Sequence, residues 1–268
     1  MKQLEGIYQK RAEDVLACIH NIGPVSEAEQ IHRLRVSIKK LRAVIRFLEA
    51  TAPGAFVFPD RDLFTKIFKR SGELREIQLN KQLALIFRYS ATSAKAYLYY
   101  LKEREQVAWE AFQRSLNRFP ESDLLKLEKK TEKVLMHLSS AKLYTLGKQY
   151  AHSEVEVVLT LLKKKLSVRR THRIRRVLKR TEPILLICKQ AKPGKNTRLL
   201  IKRIRSLNTL LGNWHDKTVF ISSLHRFIKH RKPANPRPLL KWAEFVSNRA
   251  DADFKEIKAR LREFAAQI

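Results

Sequence analysis

The sequence predicts an all-α protein, two tandem pseudo-symmetric four-helix bundles around a basic central groove, and three observations lead to that expectation. Gly and Pro are scarce, 7 and 9 of 268 residues, and runs of alternating β-branched residues are hard to find, which favours helix over strand. Apolar residues recur at helical spacing along most of the chain. A constant offset of 140 residues lays the second half on the first without gaps across the informative region, the mark of an internal repeat.

Charge narrows the partners. Lys and Arg number 56 against 26 Asp and Glu, a net charge of +30, with an isoelectric point near 10.4. Such a cation favours nucleic acid, polyphosphate or an anionic membrane surface. Because 44% of the residues are hydrophobic, the chain is no disordered basic tail. Met1-Lys2-Gln3-Leu4-Glu5-Gly6 lacks the apolar run of a signal peptide, and no stretch of about 18 apolar residues is present to span a bilayer. The expectation is a cytoplasmic protein without membrane insertion. Cys18 and Cys188 sit in apolar helical contexts with no metal-type spacing, which suits buried, reduced thiols.

Residues 3–20 read as a first helix, with Leu4, Ile7, Val15 and Ile19 among its apolar positions, ended by Asn21-Ile22-Gly23-Pro24. Ser26-x-x-Glu29 is a capping-box signature that would start the second. There, Leu34, Ile38, Leu41, Ile45 and Leu48 form a core stripe. His32, Arg35, Lys39, Arg42 and Arg46 form a ladder displaced by two residues, about 200° around the helix and about 21 Å long. Solvated helix faces mix Glu and Lys at i,i+4, each pair contributing about 0.2–0.5 kcal/mol, whereas like charges at that spacing repel. A ladder without a carboxylate therefore implies a missing polyanion.

Ala52-Pro53-Gly54 would stop the second helix, and a third would begin after Pro59-Asp60, with Phe64, Ile67, Phe68, Leu74 and Ile77 on its apolar face and Lys66, Lys69, Arg70 and Arg75 as its cations. A fourth, from about Ala94 to Arg118, carries Tyr97, Leu101, Trp109 and Phe112, and after the Phe119-Pro120-Glu121-Ser122 break residues 123–138 read as a connecting helix. Residues 1–140 would be the first repeat with its connecting helix, and residues 141–268 the second.

Under the 140-residue offset, His32, Arg35, Lys39 and Lys40 meet His172, Arg175, Lys179 and Arg180; Pro53-Gly54 meets Pro193-Gly194; Gly72 meets Gly212 and Glu76 meets Asp216. The core stripe carries over, Leu34, Ile38 and Ile45 becoming Ile174, Leu178 and Leu185. These residues, His32-x-x-Arg35-Val36-x-x-Lys39-Lys40-x-Arg42 with Gly72-x-Leu74-Arg75-Glu76, then His172-x-x-Arg175-x-x-x-Lys179-Arg180 with Leu211-Gly212-x-x-His215-Asp216, resemble the CHAD family, the conserved histidine α-helical domain. The resemblance implies two pseudo-symmetric four-helix bundles and a basic cavity that binds inorganic polyphosphate, with association to polyphosphate granules in some members. Departures are local: Glu76 and His215 stand where the family usually has Asp and Arg, and Arg42 and Arg46 correspond to Glu182 and Leu186.

From Lys163 to Arg205 there are seventeen Lys or Arg and one acid, Glu182. Arg forks hold two phosphate oxygens and Lys supplies mobile charge, so a mixed wall grips a flexible phosphate chain in many registers. The expected binding set is His32, Arg35, Lys39, Lys40, Arg42, Arg46, Lys66 and Lys69 from the first half, and His172, Arg175, Arg176, Lys179, Arg180, Arg198, Lys202 and Arg205 from the second. Nucleic acid would ask for aromatic faces or polar side chains aimed at bases, but Trp109, Trp214, Trp242 and most Phe fall on apolar stripes and the ladders themselves hold no aromatic residue. Sequence-independent nucleic-acid binding is the alternative function. Glu76 and Asp216 would orient a facing Arg or Lys, no pair of titrating groups suits acid–base work, and no cofactor, metal site or catalytic module is expected.

Overall fold

Helical periodicity is realised in a computed structural model that describes residues 2–23, 27–51, 63–88, 91–136 and 139–268, with nine helices among these described residues. In chain order they are α1 (Lys2–His20), α2 (Ala28–Thr51), α3 (Thr65–Ile86), α4 (Ala91–Leu116), α5 (Glu121–Met136), α6 (Ser140–Leu162), α7 (Val168–Ala191), α8 (Lys195–Arg231) and α9 (Arg237–Ala266). No strand occurs among the described residues. Ser26 of the capping box, the Ala52-Pro53-Gly54 stop and Pro59-Asp60 lie outside them.

The stripe of α2 forms the helix by burying one face. Leu34, Ile38, Leu41 and Leu48 have no exposed surface and Ile45 only 4%. Each such side chain stabilises the fold by about 1.5–3 kcal/mol, which outweighs the repulsion within the cationic ladder opposite. Elsewhere caps mark the helix starts: the Ser139 hydroxyl accepts from the Lys142 N–H ahead of α6, and the Ser167 hydroxyl accepts from the Arg170 N–H ahead of α7. The 140-residue offset carries α2 onto α7 end for end, and brings α1 within α6 and α3 within α8.

The buried side chains gather in two clusters. One takes its residues from α6 to α9, among them Val158, Ile174, Leu178, Ile204, Leu211 and Leu261. The other is built on α1 to α5 and also includes Ile184 and Ile187 of α7, Phe220 and Leu224 of α8, and Trp242 of α9. The Tyr97 hydroxyl of α4 lies 2.7 Å from the Ser223 hydroxyl of α8, and its ring meets Trp242 edge-on with centroids 5.8 Å apart. α8, 37 residues long and so about 55 Å, thus contributes its N-terminal half to one cluster and its C-terminal half to the other, and α9 returns alongside it.

Candidate anion-binding groove

α2 and α7 pack against each other. Lys39 lies in the field of Lys179 and Arg175, and further along both helices Phe47 and Cys188 lie against Gly147 of α6, so α2 and α7 run in the same sense. Between their C-terminal halves opens a groove of about 1360 Å³, closed in by Arg11 of α1, Phe68 of α3, Tyr150 of α6 and Asn208 of α8. Among the described residues its lining holds ten Lys or Arg side chains and three carboxylates. Of the expected binding set, Lys39, Lys40, Arg42, Arg46, Arg176, Lys179, Arg180 and Arg205 line it.

The two walls are built differently at equivalent places. On the first, the Phe68 ring is a platform: the Arg35 guanidinium lies 4.3 Å from its centroid, that of Arg42 5.3 Å and the Lys39 ammonium 6.0 Å. Under the 140-residue offset Phe68 becomes Asn208 and Arg42 becomes Glu182. There the Asn208 amide donates to the Glu182 carboxylate at 2.9 Å, and Arg205 donates to the same carboxylate at 2.8 Å. A cation-on-ring pair is exchanged for an amide–carboxylate pair, and at the far end of the second wall Glu182 also neutralises Arg205. Arg180 is likewise paired, with Glu154. Pro183, inside α7, also lines the groove and leaves the Lys179 carbonyl without its helical N–H donor.

Toward the N-terminal ends of α2 and α7, Arg35 and Arg175 are partly buried. Arg35 donates to the Phe68 carbonyl at 2.7 Å and to the Ser71 hydroxyl at 3.2 Å, and burial, with Arg75 beside it, pushes its guanidinium down to about 10. Under the 140-residue offset Ser71 becomes Leu211, and the buried Nε of the counterpart Arg175 has no hydrogen-bond partner among the described residues. Burial, then Lys179, Arg35 and Arg175, push Lys39 down to about 8, with Asp216 pulling the other way.

His172 packs its ring 4.7 Å from Trp214 and 5.3 Å from His215. Burial followed by Arg175, His172 and Lys179 pushes His215 down to about 4, so it is neutral at pH 7. His32 and His172 are also lowered, each chiefly by burial and then by neighbouring Arg residues. Asp216 sits among Arg175, Lys179, Arg75 and Lys217, yet burial outweighs them and raises its carboxyl above the usual range. Glu76 instead faces Arg226 of α8 at 3.7 Å.

The remaining expected residues lie elsewhere. Arg198 and Lys202 are exposed on the first turns of α8 outside the groove lining, while Lys66 and Lys69 line a separate cleft between α3 and α4. Trp109, Trp214 and Trp242 are buried, as their apolar stripes imply. Aromatic residues nevertheless reach the groove through Phe68 and Tyr150. Neither belongs to a ladder; each comes from a neighbouring helix whose packing partner periodicity does not name. Among the described residues no group of three His, Cys, Asp or Glu side chains is placed to hold a metal ion, and no helix is long and apolar enough to cross a membrane.

The CHAD domain family profile matches residues 9–225, most of the chain. The chain belongs to the CHAD family. The match ends within α8, so the end of that helix and α9 lie beyond it. No curated protein matches the chain. Among solved structures, the crystal structure of the CHAD domain from the plant Ricinus communis is similar over 96% of this chain and 90% of that one, with a TM-score of 0.78 and 18% identity. That likeness establishes a shared CHAD fold, α9 included.

Proposed function

We propose that this CHAD protein binds inorganic polyphosphate, without transforming it, in the groove between α2 and α7. The observation that carries the reading is the facing of two cationic helix ladders, with ten Lys or Arg side chains against three carboxylates among the described residues of one groove. The groove is also elongated along two helices, as a linear polyanion requires. Binding would release counterions and form charge-assisted hydrogen bonds, so affinity rises with chain length and falls steeply with salt. We further infer that the two halves are pseudo-two-fold repeats, with α2 and α7 as the paired elements of the site. In a cell the protein would then reside in the cytoplasm, on polyphosphate granules where these form.

Arg46 and Arg176 are exposed, line the groove from opposite walls and have no carboxylate partner among the described residues. The test is the affinity of Arg46→Glu with Arg176→Glu for long polyphosphate. The comparison is Lys255→Glu with Arg262→Glu, an equal charge change on exposed α9 positions outside the groove. A loss of about a hundredfold or more, roughly 3 kcal/mol, in the groove variant and little in the other supports the site. Equal losses would mean that the net charge acts generically. Competition by duplex DNA and single-stranded RNA at matched phosphate then decides for or against a dedicated polyphosphate receptor.

A further inference from the structure

Lys66 and Lys69 belong to a second cleft, of about 880 Å³, between the start of α3, the end of α4 and the start of α5. One wall carries Lys66, Lys69 and Arg70, and the facing side carries Arg114, Arg118 and Lys126. Two of these six cations are matched within the protein: Arg70 by Glu73 at 3.0 Å and Lys126 by Asp123 at 2.9 Å. Among the described residues, Lys66, Lys69, Arg114 and Arg118 have no carboxylate partner and Asp123 is the one acid in the lining. Arg114 lies in the last turn of α4 and Arg118 in the turn that follows it. Cations converging from two walls of one cleft are an unfavourable arrangement that a bound anion relieves.

The floor is different from that of the groove. Leu63, Ile67, Ala111, Phe119 and Pro120 line it, and Phe119 stacks one face on Phe64 with centroids 5.8 Å apart and planes at 28°. A partly buried ring that lines the cleft and is held from behind in this way is a platform for a second flat group. The volume is that of a small-molecule site. A chain of bare phosphates has no use for the apolar floor, and a wholly apolar ligand has none for the four cations.

We propose that this cleft is a second ligand site, independent of the polyphosphate groove, for a nucleoside triphosphate, with the phosphates held by Lys66, Lys69, Arg114 and Arg118 and the base laid against Phe119.

The test is equilibrium dialysis of labelled ATP against the full-length protein and three variants: Arg114→Glu with Arg118→Glu, Lys66→Glu with Lys69→Glu, and the groove variant Arg46→Glu with Arg176→Glu. All changes are at exposed positions, and circular dichroism checks the helix content of each. The expected result is saturable ATP binding weakened at least tenfold in both cleft variants, nearly unchanged in the groove variant, and tenfold tighter than binding of inorganic triphosphate. The proposal is overturned if ATP does not bind saturably, if the groove variant loses it while the cleft variants keep it, or if triphosphate binds as tightly as ATP. Polyphosphate affinity of the same proteins is read separately, so failure of the groove reading leaves this one standing or falling on its own.

Discussion

The Arg35 guanidinium occupies the space that a side chain at position 72 would enter: a Cβ built on Gly72 lies 2.9 Å from the terminal nitrogen that Arg35 gives to Phe68 and Ser71. The glycine is there for close approach, since its backbone is ordinary helix. Gly212, at the equivalent place, has nothing within 4 Å. Ala in a helix interior is favoured over Gly by about 0.8–1 kcal/mol. Gly212→Ala is therefore expected to stabilise the protein by up to that amount in urea unfolding. Gly72→Ala should gain little or lose stability, and should weaken polyphosphate binding by displacing Arg35. Equal gains from both substitutions would show that Arg35 yields freely.

Lys39 supplies a pH signature for binding. Its ammonium, pushed down to about 8, is charged below that value and neutral above it. A bound polyanion favours the charged form, so binding takes up a proton as the pH rises through about 8, and affinity should fall between pH 7 and 9, by at most about tenfold per pH unit for one proton. Lys179, lowered chiefly by burial and then by Arg175, adds in the same direction. Lys39→Arg, which does not titrate there, should flatten the fall. An affinity independent of pH over that range in the parent protein would contradict the placement of Lys39.

Stability toward acid should depend on His215. Its folded value of about 4 lies below the unfolded value of about 6.5, so in that window the unfolded chain binds more protons. Stability is then lost as pH falls from about 6.5 to 4, by on the order of 2 kcal/mol for this group. Asp216, raised, acts in the opposite sense, and the difference between proteins isolates the histidine. His215→Gln should show a shallower loss in urea midpoint between pH 6.5 and 4; an unchanged slope would remove His215 as the cause.

Glu182 restrains the second wall by holding Arg205 and Asn208. Glu182→Gln keeps the shape and removes the charge. Polyphosphate affinity is expected to rise by about three- to tenfold at low salt, the gain vanishing near 1 M salt, with less than about 1 kcal/mol lost in stability. A fall in affinity would mean that Glu182 positions Arg205 productively instead of diverting it.

Much of this was legible in the residues because it is periodic. The stripe from Leu34 to Leu48 predicted the buried face of α2, and the chain breaks at Phe119-Pro120 between α4 and α5, although the connecting helix, Glu121–Met136, already includes the Glu121 and Ser122 expected to belong to the break. What periodicity does not carry is the identity of the neighbour across a helix interface. Lys66 and Lys69 share the spacing of groove cations but point from α3 into another cleft. Phe68 shares the spacing of core residues but ends under Arg35, Lys39 and Arg42. Arg11 and Lys189 reach the groove from positions that no motif marks. The exchange of Arg42 and Phe68 for Glu182 and Asn208 is visible in the aligned halves, but the packing reveals that the four residues form two alternative pairs.

The hairpin of α8 and α9 gives both hydrophobic clusters a share in the same two helices. A protease that nicked the chain between α5 and α6 would not release two domains, because Trp242 and Phe220 would still be clasped by Tyr97. Heating would likewise find no half able to melt first and leave its twin intact, and calorimetry should trace one endotherm where a chain of two autonomous repeats would give two.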